Sequence, residues 1–238
     1  MIARPIPTGT HGRYLVLPPL EAPAFVVVGF HGYAETAETQ FERLQMIPGS
    51  SHWLLVSIQG LHRFYRRRSD EVVASWMTRQ DRDLAIADNL TYVSRVLDDV
   101  SREWPSAARM ALVGFSQGVA MAYRAAVTAS QPARGVIAVG GDIPPELDRW
   151  ALGRIGAALA VRGRKDEWYT AEKQAADLKR LGAAGVPTES LTFDGGHEWN
   201  AEVARASGEF LRLNHLHGPQ QQLRASGGEV EAPCQSRP

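Results

Sequence analysis

Short runs of valine, leucine and isoleucine recur along the chain, separated by stretches whose apolar residues repeat with helical spacing. That alternation is what a parallel β-sheet covered by helices produces, so the fold class is expected to be α/β, with a mostly parallel central sheet and helices on both faces. Seven strands are predicted, at Tyr14–Leu17, Phe25–Phe30, Trp53–Ile58, Met110–Val113, Gly135–Val139, Ala158–Arg162 and Glu189–Phe193. The clearest helix runs from Asp81 to Ser101, where Leu84, Ile86, Ala87, Leu90, Val93, Leu97 and Val100 fall mostly three or four residues apart. Comparable patterns at Thr36–Leu44, Gln117–Val127, Thr170–Leu181 and Ala201–Leu213 each lie between two strands or after the last one.

One segment does not fit the alternation. Gln59 to Gln80 carries Arg63-Phe64-Tyr65-Arg66-Arg67-Arg68 and then Val72-Val73-Ala74-Ser75-Trp76-Met77. It is too long for a plain connection and leaves the edge of the sheet where α/β folds place their ligands. Two readings stand: a wall of a substrate pocket, or a solvated loop anchored by Trp76. The arginine cluster reads first as a surface feature and second as a contact for an anionic group on a substrate.

Composition narrows the function. The 26 basic and 26 acidic side chains cancel, so the overall balance points to neither nucleic acid nor an anionic membrane as partner. With 44% hydrophobic residues in 238, one substantial core is expected, as a single domain over residues 1–217. From residue 218 onward few apolar residues remain, and a disordered tail is expected over 218–238. The single cysteine, Cys234, falls in that tail and cannot form an internal disulfide. The N-terminus lacks a signal-peptide pattern and no run approaches a membrane span, so a cytoplasmic location is the default. A homodimer is left open. No His-x-x-x-His or Cys-x-x-Cys pair and no strand-borne GxGxxG occurs, and neither metal nor cofactor is expected.

The chemistry concentrates at Gly114-Phe115-Ser116-Gln117-Gly118. An apolar strand feeds a turn whose flanking positions leave almost no room for side chains, and an alanine-rich helix follows, so Ser116 is expected at the top of the sheet on a helix N-terminus. A serine nucleophile needs a base held by a carboxylate. Among the downstream histidines, His197 in Phe193-Asp194-Gly195-Gly196-His197-Glu198-Trp199 directly follows a predicted strand, whereas His215 and His217 sit at the start of the tail. Asp166, in the loop after Ala158–Arg162, is the preferred acid; Asp142 is its main rival, with Glu167 and Asp194 weaker. For the oxyanion, the backbone N–H of Gln117 and that of Tyr33, in the loop His31-Gly32-Tyr33, are the expected donors. His31 precedes the serine and is read as holding that loop. Tyr33, Phe64, Tyr65, Trp76, Trp168 and Trp199 are candidates for lining a pocket, or for plain packing.

With Phe30-His31-Gly32-Tyr33, Gly114-Phe115-Ser116-Gln117-Gly118, Gly163-Arg164-Lys165-Asp166 and Gly195-Gly196-His197-Glu198 in this order, the chain resembles the phospholipase/carboxylesterase family, which includes acyl-protein thioesterases. The likeness spans about residues 20–213. It implies a compact α/β-hydrolase fold with little or no lid, hydrolysis of carboxylic esters or thioesters, a triad of Ser116, Asp166 and His197, and oxyanion donors at Tyr33 and Gln117. The chain departs from the family's common GFSQGG at Val119, and the arginine-rich stretch is its own. A short- to medium-chain carboxylesterase is the expected activity, with a thioesterase, a lysophospholipase or a catalytically silent ligand-binding module as alternatives.

Overall fold

Seven strands form one sheet, and each strand but one runs parallel to its neighbours. A computed structural model describes residues 1–2 and 4–215 of the chain; the expected tail with Cys234, and His217, lie outside the described residues. The strands are β1 (Arg13–Leu17), β2 (Val26–Phe30), β3 (Leu54–Gln59), β6 (Met110–Phe115), β7 (Ala133–Val139), β8 (Ala158–Gly163) and β9 (Thr188–Phe193). Their order is β1-β3-β2-β6-β7-β8-β9, with only β1 antiparallel, paired to β3. The helices are α1 (Ala37–Met46), α2 (Arg82–Glu103), α3 (Gln117–Thr128), α4 (Arg149–Leu152), α5 (Ala171–Ala183) and α6 (Ala201–His215).

Alternation along the buried strands fills both faces. Val26, Val28 and Phe30 of β2 join a core with Val93 and Leu97 of α2 and Met121 and Ala122 of α3. Val27, between them, joins the opposite core with Leu44 of α1 and Phe210 and Leu211 of α6. Such two-sided burial explains why these strands are unbroken apolar runs rather than polar-apolar alternations. Among the described residues no helix is long and apolar enough to cross a membrane.

The seven expected strands are all present, several longer than their sequence signal. Gly114 and Phe115 continue β6 because the parallel ladder pairs them with Ala138 and Val139 of β7; a glycine beside a serine looks like a turn only until its neighbours are known. Helix α4 has four residues, too few to show a period, and rests on Asp148, whose side chain accepts the N–H groups of Trp150 and Ala151.

Residues 59–80 are not a plain loop. They contain a hairpin of β4 (His62–Tyr65) and β5 (Val72–Ser75), paired from His62↔Ser75 to Tyr65↔Val72. Its exposed arginines hid the strand signal, since β4 is only half buried. The hairpin is tied to the loop after β2: Ala34 N–H donates to Ala74 O at 3.0 Å, and Ala74 N–H donates to Glu35 O at 2.9 Å.

Candidate active site

Ser116 sits between β6 and α3 in a conformation that few non-glycine residues adopt, with φ 53° and ψ −120°. It is held there by its N–H, which donates to Val139 O at 2.8 Å. The turn closes only because Gly118 has no side chain: a Cβ there would lie 2.1 Å from the Phe30 carbonyl oxygen and 2.6 Å from that of His31. The strained backbone therefore follows from close packing of α3 against β2, and its effect is to lift the serine hydroxyl out of the sheet.

The loops after β8 and β9 supply the hydroxyl's neighbours. His197 Nε2 lies 2.8 Å from Ser116 Oγ, and its Nδ1 lies 2.8 Å from Asp166 Oδ2. Asp166 is buried, and its other oxygen accepts the N–H groups of Trp168 at 2.8 Å and Tyr169 at 2.9 Å. With both oxygens engaged, the carboxylate has one orientation, and so has the imidazole it holds. The two loops are joined to each other, Arg164 N–H donating to Phe193 O and Lys165 N–H to Gly195 O, both at 2.8 Å. Beneath them, Gly140 ends β7 at φ 65°, where a Cβ would come within 3.0 Å of His197 Cε1 and 3.4 Å of Asp166 Oδ2. Sequence reasoning passed over Gly140; its signal was the Gly140-Gly141 pair closing an apolar strand, at the same edge as the other strand ends.

The rival residues lie elsewhere. Asp142 is exposed and its carboxylate is 3.8 Å from Lys173 Nζ. Asp194 pairs at the surface with Lys165 at 3.3 Å.

Tyr33 and Gln117 both have backbone N–H groups without a protein partner among the described residues. For Gln117 this follows from its place as the first residue of α3. Gly32 N–H is already taken, donating to Glu35 Oε2 at 2.7 Å. Glu35 is in turn gripped by Arg43 through bonds of 2.6 and 2.7 Å, and the Arg43 guanidinium stacks 4.0 Å from the centre of the Phe115 ring. Burial pushes the Glu35 carboxyl up, but the paired guanidinium and the Gly32 amide outweigh it and hold the carboxyl below its ordinary range. No sequence signal singles out this pair, since 26 acids and 26 bases offer too many combinations.

His31 is fully buried away from Ser116. Its Nδ1–H donates to Gly32 O at 2.7 Å and its Nε2 accepts Gly60 N–H at 2.9 Å, a pattern that requires the neutral ring; burial lowers its pKa accordingly. It therefore bridges the loops after β2 and β3. Trp76, expected among the pocket residues, is instead completely buried, its indole N–H donating to His31 O at 2.8 Å. Its backbone N–H donates to the Gln117 side-chain oxygen at 2.9 Å, so it braces both loops that carry the free amides. Trp168 is exposed and Trp199 packs on the core beside α6, and neither is part of the cavity that Tyr33 and Gln117 line. Tyr33 and Phe64 do line one, with ring centres 5.6 Å apart.

Behind the Asp166 loop, Tyr169 donates its hydroxyl to the buried Asp177 at 3.0 Å, and Ile143 N–H donates to the same oxygen at 3.1 Å. Burial raises the Asp177 pKa from the ordinary 3.8 to about 6. Between those values the folded protein binds the proton that the unfolded chain has released, so the stability Asp177 contributes falls as pH rises through that window. A rise of this size corresponds to about 3 kcal/mol. Urea melts of the protein and of Asp177→Asn should therefore show the wild type losing on the order of 3 kcal/mol relative to the variant between pH 4 and pH 7. A difference that stays constant with pH would show that Asp177 titrates as an ordinary carboxylate.

Comparison with known proteins agrees with this architecture. A family model described as phospholipase/carboxylesterase matches residues 12–155. Among solved structures, the carboxylesterase from Mesorhizobium loti superposes with a TM-score of 0.71 at 15% identity, covering 87% of this chain and 97% of that one. The Bacillus cereus carboxylesterase gives 0.66 at 13% identity over 85% and 94% of the two chains. Acyl-protein thioesterase 2 of Zea mays gives 0.66 at 17% identity over 86% and 99%. No curated protein matches in sequence.

Proposed function

The chain belongs to the phospholipase/carboxylesterase family of α/β-hydrolases, and from that premise we propose that it is a serine hydrolase cleaving carboxylic esters of short to medium acyl chain through a covalent acyl-enzyme. The observation that carries this reading is the unbroken line Ser116 Oγ, His197 Nε2, His197 Nδ1 and Asp166 Oδ2, each junction at 2.8 Å. Asp166 accepts the Nδ1 proton, which leaves the Nε2 lone pair facing the hydroxyl. As Ser116 Oγ attacks the ester carbonyl, His197 Nε2 takes its proton, and the carbonyl oxygen becomes an oxyanion bound by the Tyr33 and Gln117 amides. The tetrahedral adduct collapses, the alcohol leaves with the His197 proton, and Ser116 holds the acyl group as an ester. Water then attacks with the same base, and the acid is released.

The test is covalent labelling by a fluorophosphonate, located by mass spectrometry, together with hydrolysis of p-nitrophenyl esters across acyl lengths. A single adduct on Ser116 and turnover that peaks at short or medium chains are expected. An unlabelled protein that turns over no ester would instead favour a ligand-binding module on the same fold.

A further inference from the structure

A cavity of about 750 Å³ opens between the β4–β5 hairpin and the start of α2, and Tyr33 and Gln117 form part of its wall. Those two residues also carry the free backbone amides, and Gln117 directly follows Ser116 in the chain, so the cavity borders the serine's turn. Its charge is one-sided. Arg63, Arg79 and Arg82 line it and no aspartate or glutamate does, although cations and anions balance over the chain as a whole. Arg82 has acids nearby, Asp83 at 3.6 Å and Glu146, whose carboxyl it helps to hold down, but Arg63 bonds a neutral acceptor, the His11 carbonyl, and Arg79 makes no ion pair or hydrogen bond among the described residues. Arg66, by contrast, pairs with Glu71, donates to the Ala34 carbonyl and is not part of the lining. His62, Ser75, Thr78 and Gln117 add neutral polar groups to the same wall. Phe64, Tyr33 and Met77 provide apolar surface in the same space.

We infer that the site prefers esters carrying a second, anionic group, a carboxylate or phosphate separated from the ester by a short apolar spacer. This rests on the serine-hydrolase reading and adds the substrate class to it. The spacer lies along Phe64 and Tyr33, the anion meets the guanidinium groups of Arg79 and Arg82, and the ester carbonyl reaches the Tyr33 and Gln117 amides. Guanidinium suits this task because its planar donors take carboxylate or phosphate oxygens in pairs and keep their charge at any working pH.

Two matched substrate pairs test it, one with the anion on the acyl side (monoethyl adipate against ethyl hexanoate) and one with it on the alcohol side (4-acetoxybenzoate against p-tolyl acetate). Each kcat/KM is divided by the hydroxide-catalysed rate of the same ester. The anionic member of at least one pair should be favoured by about 10- to 100-fold, the range of a charge-assisted hydrogen-bond pair. That ratio should fall toward one in R79Q/R82Q and shrink with added salt in the wild type. Adipate should also slow phosphonylation of Ser116 by a neutral fluorophosphonate in the wild type and fail to do so in R79Q/R82Q. Neutral esters favoured in both pairs, or a preference that the double substitution leaves intact, would overturn the inference while labelling and neutral-ester turnover uphold the hydrolase. Absence of labelling and of all turnover would instead remove the hydrolase reading, and this inference with it.

Discussion

Replacing His197 with alanine should lower kcat for ester hydrolysis by about a million-fold, and adding Ser116→Ala to it should cost almost nothing more. Both expectations follow from a single shared step. The hydroxyl is a poor nucleophile until its proton has somewhere to go, and in the proposed mechanism the group that takes it is His197 Nε2, 2.8 Å away. On that mechanism, Ser116 without the imidazole stays protonated and the amides proposed to bind the oxyanion have no tetrahedral adduct to hold; without the serine, the imidazole has nothing to activate. The activity left in either variant comes from binding and from the Tyr33 and Gln117 amides acting on attack by water. Stability should change little. The His197 side chain is 24% exposed, and its ring contacts that of Phe115, 5.1 Å away between centres; losing that contact is worth about 1 kcal/mol. Single-turnover kinetics with a p-nitrophenyl ester and thermal melts of the three variants check both halves. Additive losses in the double variant would mean that the two side chains do not act as one unit.

How far this arrangement was legible in the chain depends on which interaction carries each part. Ser116, Asp166 and His197 were legible because each lies within four residues of the end of a predicted strand, and parallel strands put all such positions on one edge. The fold then has only loop geometry to add, and it brings the three within hydrogen-bonding distance. What stayed hidden depends on pairing between distant segments. The exchange of Glu35 with Arg43 and Gly32 draws on residues whose types are common on any surface. The β4–β5 hairpin, half exposed and arginine-rich, is stabilised by its ties to Ala34 and Glu35 rather than by its own pattern. Trp76 read equally as a pocket aromatic or as the anchor of its segment, and the second is the case: the hairpin turns it inward onto His31 and Phe30. A sequence shows which residues reach the sheet edge; which of them then point inward is settled by neighbours it does not list side by side.

Asp166→Asn provides the sharpest separation of chemistry from folding, with an expected loss of about ten-thousand-fold in kcat and a melting temperature close to that of the wild type. The reason lies in what Asp166 already holds. Its Oδ1 accepts two backbone N–H groups, from Trp168 and Tyr169, and only an oxygen can do so. An asparagine will therefore keep its carbonyl oxygen there and turn its NH₂ toward His197 Nδ1, in place of the carboxylate oxygen now 2.8 Å away. That NH₂ can only donate, so Nδ1 must accept and the ring proton moves to Nε2. The imidazole then offers Ser116 a donor where the reaction needs an acceptor, with every heavy atom close to its original position. The loop's two backbone bonds survive, which is why the fold should not loosen. Serine phosphonylation and ester turnover should fall together in Asp166→Asn, while circular dichroism melts stay near those of the wild type. A variant retaining more than a tenth of wild-type kcat would show that the carboxylate does not set the tautomer, and that the serine is activated by some other route.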